Sequence, residues 1–415
     1  MAGKDRIPTF RALRNRNFRI LWSGLAISAV GTWMQIVAQS LLVLDLTHGS
    51  AVALGTVSLV QAAAFLLLSP LGGGFADHHD KRRILFITQT VMMLFAVALG
   101  LLTLFGVVRF WMILAITVAG SAALSFDQPA RNALAVSLVP QESLMNAISL
   151  QSVIFNGASM LGPALAGITL SHFGYAANFF LNGVSFLAVI VALLLLDKHA
   201  IQSHPRPQGG LLQSIRDALH FVRRDPILPS VVSGYAALLF LGPSVILTVP
   251  IFTRQILHAG PSQLGWLFSA VGSGTVAGAL LLASLGDPGH KDRLAIGSML
   301  LGTLALAAFG WAGIFSYGAV SLFVFGIAQN AAGATTMTLL QTRVPPEMRG
   351  RAMSLNTLLV MCIRPLGDFP AGAVMGWLGF RNSILASATA IGLILLIILA
   401  IRATSPPLAR PSQSP

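Results

Sequence analysis

The sequence predicts an all-α integral membrane protein whose twelve transmembrane helices form two six-helix, pseudo-symmetric bundles. Three observations predict it. The 415 residues are 55% hydrophobic and only 9% charged, whereas a soluble domain is about a quarter charged; so much apolar surface cannot be hidden in one aqueous core. The basic residues sort to one side of the apolar runs. Two short segments of the first half also recur in the second.

Apolar runs of about 20 residues let a helix cross about 30 Å of hydrocarbon. In the first bundle, 18–196, they fall near 18–44, 52–76, 84–106, 110–130, 144–171 and 175–196. A basic tail, 1–17, precedes them, and Met1 to Arg19 lacks the apolar core and small-residue cleavage site of a signal peptide. A longer inner link, 197–229, opens with "SHPRPQGG" and continues as "LLQSIRDALHFVRRD". Its second part predicts an amphipathic helix at the membrane interface, with Leu212, Ile215, Leu219 and Val222 on one side. In the second bundle, 230–401, runs fall near 228–252, 262–285, 294–313, 317–340, 352–378 and 381–401, and a tail, 402–415, follows. The single cysteine, Cys362, excludes an internal disulfide.

With the N-terminus inside, the 26 lysines and arginines all fall in inner segments, except Arg109, Arg254 and Arg381 outside and Arg364 within a span. Cytoplasmic loops carry such an excess. The expected placement is the bacterial cytoplasmic (inner) membrane, with both termini cytoplasmic. The net charge of +13 is then topology. A nucleic-acid partner is not expected, because its bases would cluster on a water-facing surface.

The repeat is visible in the loops. "ADHHDKRR" from Ala76 matches "GDPGHKDR" from Gly286, and "VPQESLMNAISLQS" from Val139 matches "VPPEMRGRAMSLNT" from Val344 at six of fourteen positions. Similarity at a fixed spacing signals duplication. Six spans is an even number, so both halves enter from the same side as parallel repeats.

These features resemble the major facilitator superfamily over nearly the whole chain. Gly73, Phe75, Ala76, Asp77, His78, Asp80, Lys81 and Arg82 are similar to its Gly-x-Leu-Ala-Asp-Arg-x-Gly-Arg-Arg signature, with Asp80 replacing the signature glycine. That departure, together with "FDQPARNAL" from Phe126 and "GTWMQIVAQSLLVLDLT" from Gly31, resembles the drug:proton antiporter branch that holds macrolide and siderophore exporters. "ASMLGPALAG" resembles the exporter signature of the fifth span through Gly162, Pro163 and Gly167. The resemblance implies that Asp77 caps the eleventh span and pairs with a base on the fourth, for which Arg131 is available. Lys81, Arg82 and Arg83 would anchor the loop to lipid phosphate. Many proton-driven relatives carry an arginine midway along the fourth span; Ile116 stands there, so that relay is absent.

Polar residues inside apolar runs are candidates for a transport path. Ser28, Gln35 and Gln39 share one face of the first span, with Trp33 nearby; Asn156 on the fifth span and Gln329 and Asn330 on the tenth extend the set. They either line an amphipathic, mostly uncharged cavity or hydrogen-bond helices together. Arg364 and Asp368 lie one turn apart on the eleventh span; they either neutralise each other or carry a proton. Asp127 and Asp45 are secondary proton candidates.

No glycine-rich phosphate loop, nucleophile triad, metal ligand set or dinucleotide fingerprint occurs, so no enzyme activity, cofactor or metal is expected. The expected function is secondary active export of an amphiphilic small molecule, a drug-like compound or siderophore, in exchange for protons. An importer, a lysophospholipid flippase and a non-transporting membrane sensor are the alternatives. Expected partners are that solute, protons and membrane lipids, and the expected state is a monomer.

Overall fold

Helix termini in the structure sit where short polar side chains interrupt apolar runs. Asn15 accepts from the amides of Asn17 and Phe18 to open α1, Arg16–Leu46. Ser50 does the same for α2, Ala51–His78, and Asp80 for α3, Lys81–Leu104. α4, Phe110–Ser137, and the long α5, Leu144–Leu195, complete the first half. After the link come α6, Leu211–Arg224; α7, Leu228–Leu241; α8, Val245–Ile251; α9, Pro261–Leu285; α10, Lys291–Trp311; α11, Phe315–Arg343; α12, Arg349–Leu358; and α13, Arg364–Thr404. This computed structural model describes residues 8–197, 211–286, 289–345 and 348–404.

Among the described residues, ten helices are long and apolar enough to cross a membrane, and two of them cross twice. In α5 the helix breaks at Gly174, with φ 75°, a conformation that glycine adopts at little cost. The arm before it runs parallel to α1, since the Trp22 indole donates to Leu150 O and Gly162 abuts Val30 and Trp33. The arm after it runs back: Gly31 abuts Asn182 and Ser185, while Gly24 abuts Ala188 and Ala192. Gly379, φ 76°, turns α13 in the same way. Its first arm passes Phe240 at Gly367, and its second returns past α10, with Ile384 at Gly310 and Arg402 paired to Asp292. Twelve passages result, as the apolar runs predict, and the fold is all-α.

The seventh span departs from the single helix expected over 228–252. It breaks between Gly242 and Ser244, because Pro243 offers no amide and Ser244 caps α8 through Leu247 N at 3.2 Å. It then widens into a π-turn, Phe252–Ile256. A second π-turn, Leu359–Ile363, joins α12 to α13 immediately before Pro365.

α1 begins at the basic end of the bundle; the opposite end is called the far end below. The two halves meet toward the far end. Gly55 of α2 lies on Asp368 of α13, where a β-carbon would stand 2.7 Å from the Asp368 carbonyl oxygen. Gly167 of α5 lies on Pro261 of α9, and Ser269 donates to Met160 O at 2.8 Å. Small residues let helix backbones approach in lipid. At the basic end, no ion pair among the described residues joins the two halves: Arg11–Glu142 lies in the first, Arg351–Asp217 and Arg343–Asp225 tie the link to the second, and Arg402–Asp292 closes the end of the second.

The link helix differs in detail from expectation. α6 rests on α12 through the Arg351–Asp217 pair, and its buried residues are Ala218 and Val222. Leu219 is exposed, because protein rather than lipid covers the apolar face and shifts it around the helix. The side chains of Leu212 and Ile215 lie outside the described residues.

Candidate functional site

Charged and amide groups inside the spans gather into four clusters. The first is in the first half. Asp127 of α4, fully buried, accepts from Thr88 Oγ1 at 2.9 Å, Gln89 Nε2 at 2.7 Å and Arg131 Nε at 2.9 Å; the Arg131 terminal nitrogen bonds it as well. A buried carboxylate persists only when paired and hydrogen-bonded. Arg131 is thus given to Asp127. The Asp77 side chain, and with it the expected Asp77–Arg131 latch, lies outside the described residues.

The second cluster bridges the halves. Asp368 is buried where α13 crosses α2, and it accepts from Ser244 N at 2.8 Å and Ser244 Oγ at 2.7 Å. Ser58, on the α2 of the other half, faces the same carboxylate. Asp368 and Arg364 therefore do not neutralise each other directly, contrary to one reading of their spacing. The backbone amide that opens α8 and the Ser244 hydroxyl offer both carboxylate oxygens closer partners.

Arg364 forms the third cluster. Gln329 of α11, with its amide oxygen turned toward the guanidinium, accepts from the two terminal nitrogens at 2.6 and 2.7 Å. The Arg364 Nε is buried without a partner.

The fourth cluster lies at the far end. Asp45, at the end of α1, accepts from Arg254 of the second half and from the hydroxyl of Tyr175, just past the Gly174 turn. Beside it Gln255 donates to Gly49 O at 3.2 Å. Asp45 thus joins the halves.

The other candidates are mostly spoken for by neighbours. Gln35 accepts from Asn182 at 2.7 Å and Gln39 donates to Thr117 at 3.2 Å, both within the first half. Ser28 is buried, and its carbonyl accepts from Thr32. Trp33 and Phe155 meet edge to face with centroids 6.1 Å apart, and Asn156 and Asn330 are half-buried. Gly162 faces α1, while Pro163 and Gly167 face Gly265 and Pro261 of α9. The exporter-like stretch is therefore the contact surface of α5 with both halves.

Near the basic end Arg82 donates to Leu194 O at 3.2 Å, Lys81 is half-buried and Arg83 is exposed. Arg83 borders a groove of about 630 Å³ between α2, α3 and α4, with Phe75, His79, Ile87 and Phe126. None of the cavity residues read from the sequence lines it.

Sequence reasoning missed Ser244, Ser58, Thr88, Gln89, Tyr175 and Arg254 as partners. Ser244 follows Gly242–Pro243, a helix-break signal that marks it as a cap. Gln89, an amide inside an apolar run, was equally visible.

Comparison with known proteins gives a consistent result. The family model described as "transmembrane secretion effector" matches residues 7–413. An uncharacterised MFS-type transporter, YfiS of Bacillus subtilis, is 25% identical over 403 residues, covering 94% of each chain. The enterobactin exporter EntS of Shigella flexneri is 26% identical over 381 residues, covering 92% of this chain and 89% of the other. The structure of a bacterial homologue of the lysosomal transporter Spinster, inward-facing and occupied, superposes with a TM-score of 0.70 at 17% identity, covering 95% and 97% of the two chains. With a duplicated twelve-span fold and a family match over almost its full length, the chain belongs to the major facilitator superfamily of multi-pass membrane transporters, in its family of transmembrane secretion effectors.

Proposed function

We propose that the chain exports an amphiphilic small molecule by alternating access and returns protons in exchange. The observation that carries this reading is Asp368, a buried acid held by Ser244 at the seam where Gly55 of the other half lies against it. Ionised, the carboxylate accepts from Ser244 and faces the Ser58 hydroxyl of α2, which favours the joined seam. Protonated, it loses the charge that strengthens those bonds, and the seam is freer to part. A proton arriving from the far end thereby favours opening there. The clustering of bases supports a cytoplasmic basic end, which makes the described arrangement, joined at the far end, the inward-facing one.

The export direction draws support from the helix-5 stretch around Gly162–Gly167 and from the likeness to the enterobactin exporter. When the basic end closes, Asp77 meets the start of α12 and competes with Asp127 for Arg131, latching that end. The test uses everted vesicles loaded by a fluorescent amphiphile under an imposed pH gradient. Wild-type protein is expected to accumulate the dye only with the gradient, and Asp368→Asn is expected to flatten the pH dependence of uptake. Uptake indifferent to the gradient, or a normal pH profile in the variant, refutes proton exchange through Asp368. Movement of lysolipid but of no dye assigns a flippase instead.

A further inference from the structure

Arg364 is a cation in a membrane span without a carboxylate partner. Carboxylates near the spans are engaged elsewhere: Asp45 with Arg254 and Tyr175, Asp127 with Arg131, Asp292 with Arg402, and Asp368 with Ser244. Among the described residues Arg364 makes no ion pair, and its two terminal nitrogens converge on one neutral amide oxygen, that of Gln329. Its Nε is buried and unpartnered. Tyr235 of α7 is also buried, with its hydroxyl against Gly333 of α11. The surround is polar, and its nearest acid, Asp368, acts on Arg364 only from one turn away, without a direct bond.

Buried charges in lipid are kept where they are paired or used. Guanidinium groups recognise carboxylate-like oxyanions through a planar fork of donors. Arg364 lies one helical turn from the point where the halves touch, Gly55 against Asp368. The residue as a whole is partly accessible, which leaves a ligand a way to it.

We propose that Arg364, steadied by Gln329, is the binding point for an acidic group of the transported molecule, so that the cargo is an amphiphilic organic anion. This rests on the export reading and narrows it. An acid docking on Arg364 displaces Gln329 from at least one nitrogen and supplies a directly bonded anion. The apolar remainder then packs against neighbouring side chains.

The test compares two dyes that share an aromatic sulfonamide body, dansylglycine with a carboxylate and dansylamide without one. Energy transfer from protein tryptophan reports binding to the purified full-length chain in a neutral detergent. The wild type is expected to bind the acid at least about tenfold more tightly than the amide, the worth of one charge-assisted contact. Arg364→Gln is expected to erase the difference. Arg364→Lys should keep part of it, because the charge stays while the fork is lost. A wild type with no preference for the acid overturns the proposal, as does a preference that survives in monodisperse Arg364→Gln. If acid and amide bind equally and both move in the vesicle assay, the anion site falls while the export reading stands. If neither moves, the export reading itself fails.

Discussion

Asp45→Asn should loosen the far end of the protein by a measurable amount. Asp45 holds Arg254 of the second half and Tyr175 of the first with a single carboxylate. The Arg254 and Asp45 side chains are 44% and 37% exposed, so solvent screens the pair and its worth is at the low end, about 0–1 kcal/mol. The Tyr175 bond lies within the first half and is present in sealed and open molecules alike. Asparagine keeps the shape and one acceptor but loses the charge, so the sealed arrangement loses about 0–1 kcal/mol. That changes the ratio of sealed to open molecules by up to about fivefold.

The assay is a pulsed electron-resonance distance measurement between labels on Leu104→Cys and Ile314→Cys. These are exposed far-end positions, one in each half, and the native Cys362 is buried. A longer-distance population should grow in Asp45→Asn, and Arg254→Gln should give the same result. High salt should reproduce part of the effect in the wild type, because the pair is exposed. An identical distance distribution in both variants would refute the reasoning, and so would an effect of Arg254→Gln without one of Asp45→Asn.

Three further outcomes are expected. Gly167→Val places a β-carbon 2.8 Å from the Pro261 carbonyl oxygen; transport should fall at least about tenfold while the protein remains folded, and the same label pair should report separation at the far end. Asp127→Asn leaves Arg131 without its acid; breaking a buried pair costs about 3–5 kcal/mol, but Arg131 is 32% exposed, so about 1–3 kcal/mol is expected, read as a lowered melting temperature in detergent. Asp77→Asn should slow transport in vesicles without weakening dye binding, and unchanged transport would remove Asp77 from the gate.

What the sequence shows plainly is whatever lipid dictates. A span must be apolar for about 20 residues, so all twelve passages are readable as apolar runs. The break within the seventh is not, because Gly242–Ser244 is a local backbone matter inside a still apolar stretch. Side-chain partnership is less legible. The i,i+4 spacing of Asp127 and Arg131 and that of Arg364 and Asp368 look alike in the sequence. Only the first pair closes, because Ser244 arrives from another helix to claim Asp368. Gln35 and Gln39 point to a polar face, yet which helix meets that face depends on packing that no spacing encodes. Arg254, set apart as one of few outer bases, was the visible clue to the Asp45 contact.

The two wide turns carry a mechanical consequence. Both interrupt second-half spans, Phe252–Ile256 after Pro250 and Leu359–Ile363 before Pro365, and among the described residues no first-half span contains one. A π-turn stores an extra residue that a helix can redistribute by rotating, without surrendering its other hydrogen bonds. Motion in this protein is therefore lopsided: the amino-terminal bundle serves as a stiff frame, and compliance resides in the carboxy-terminal one.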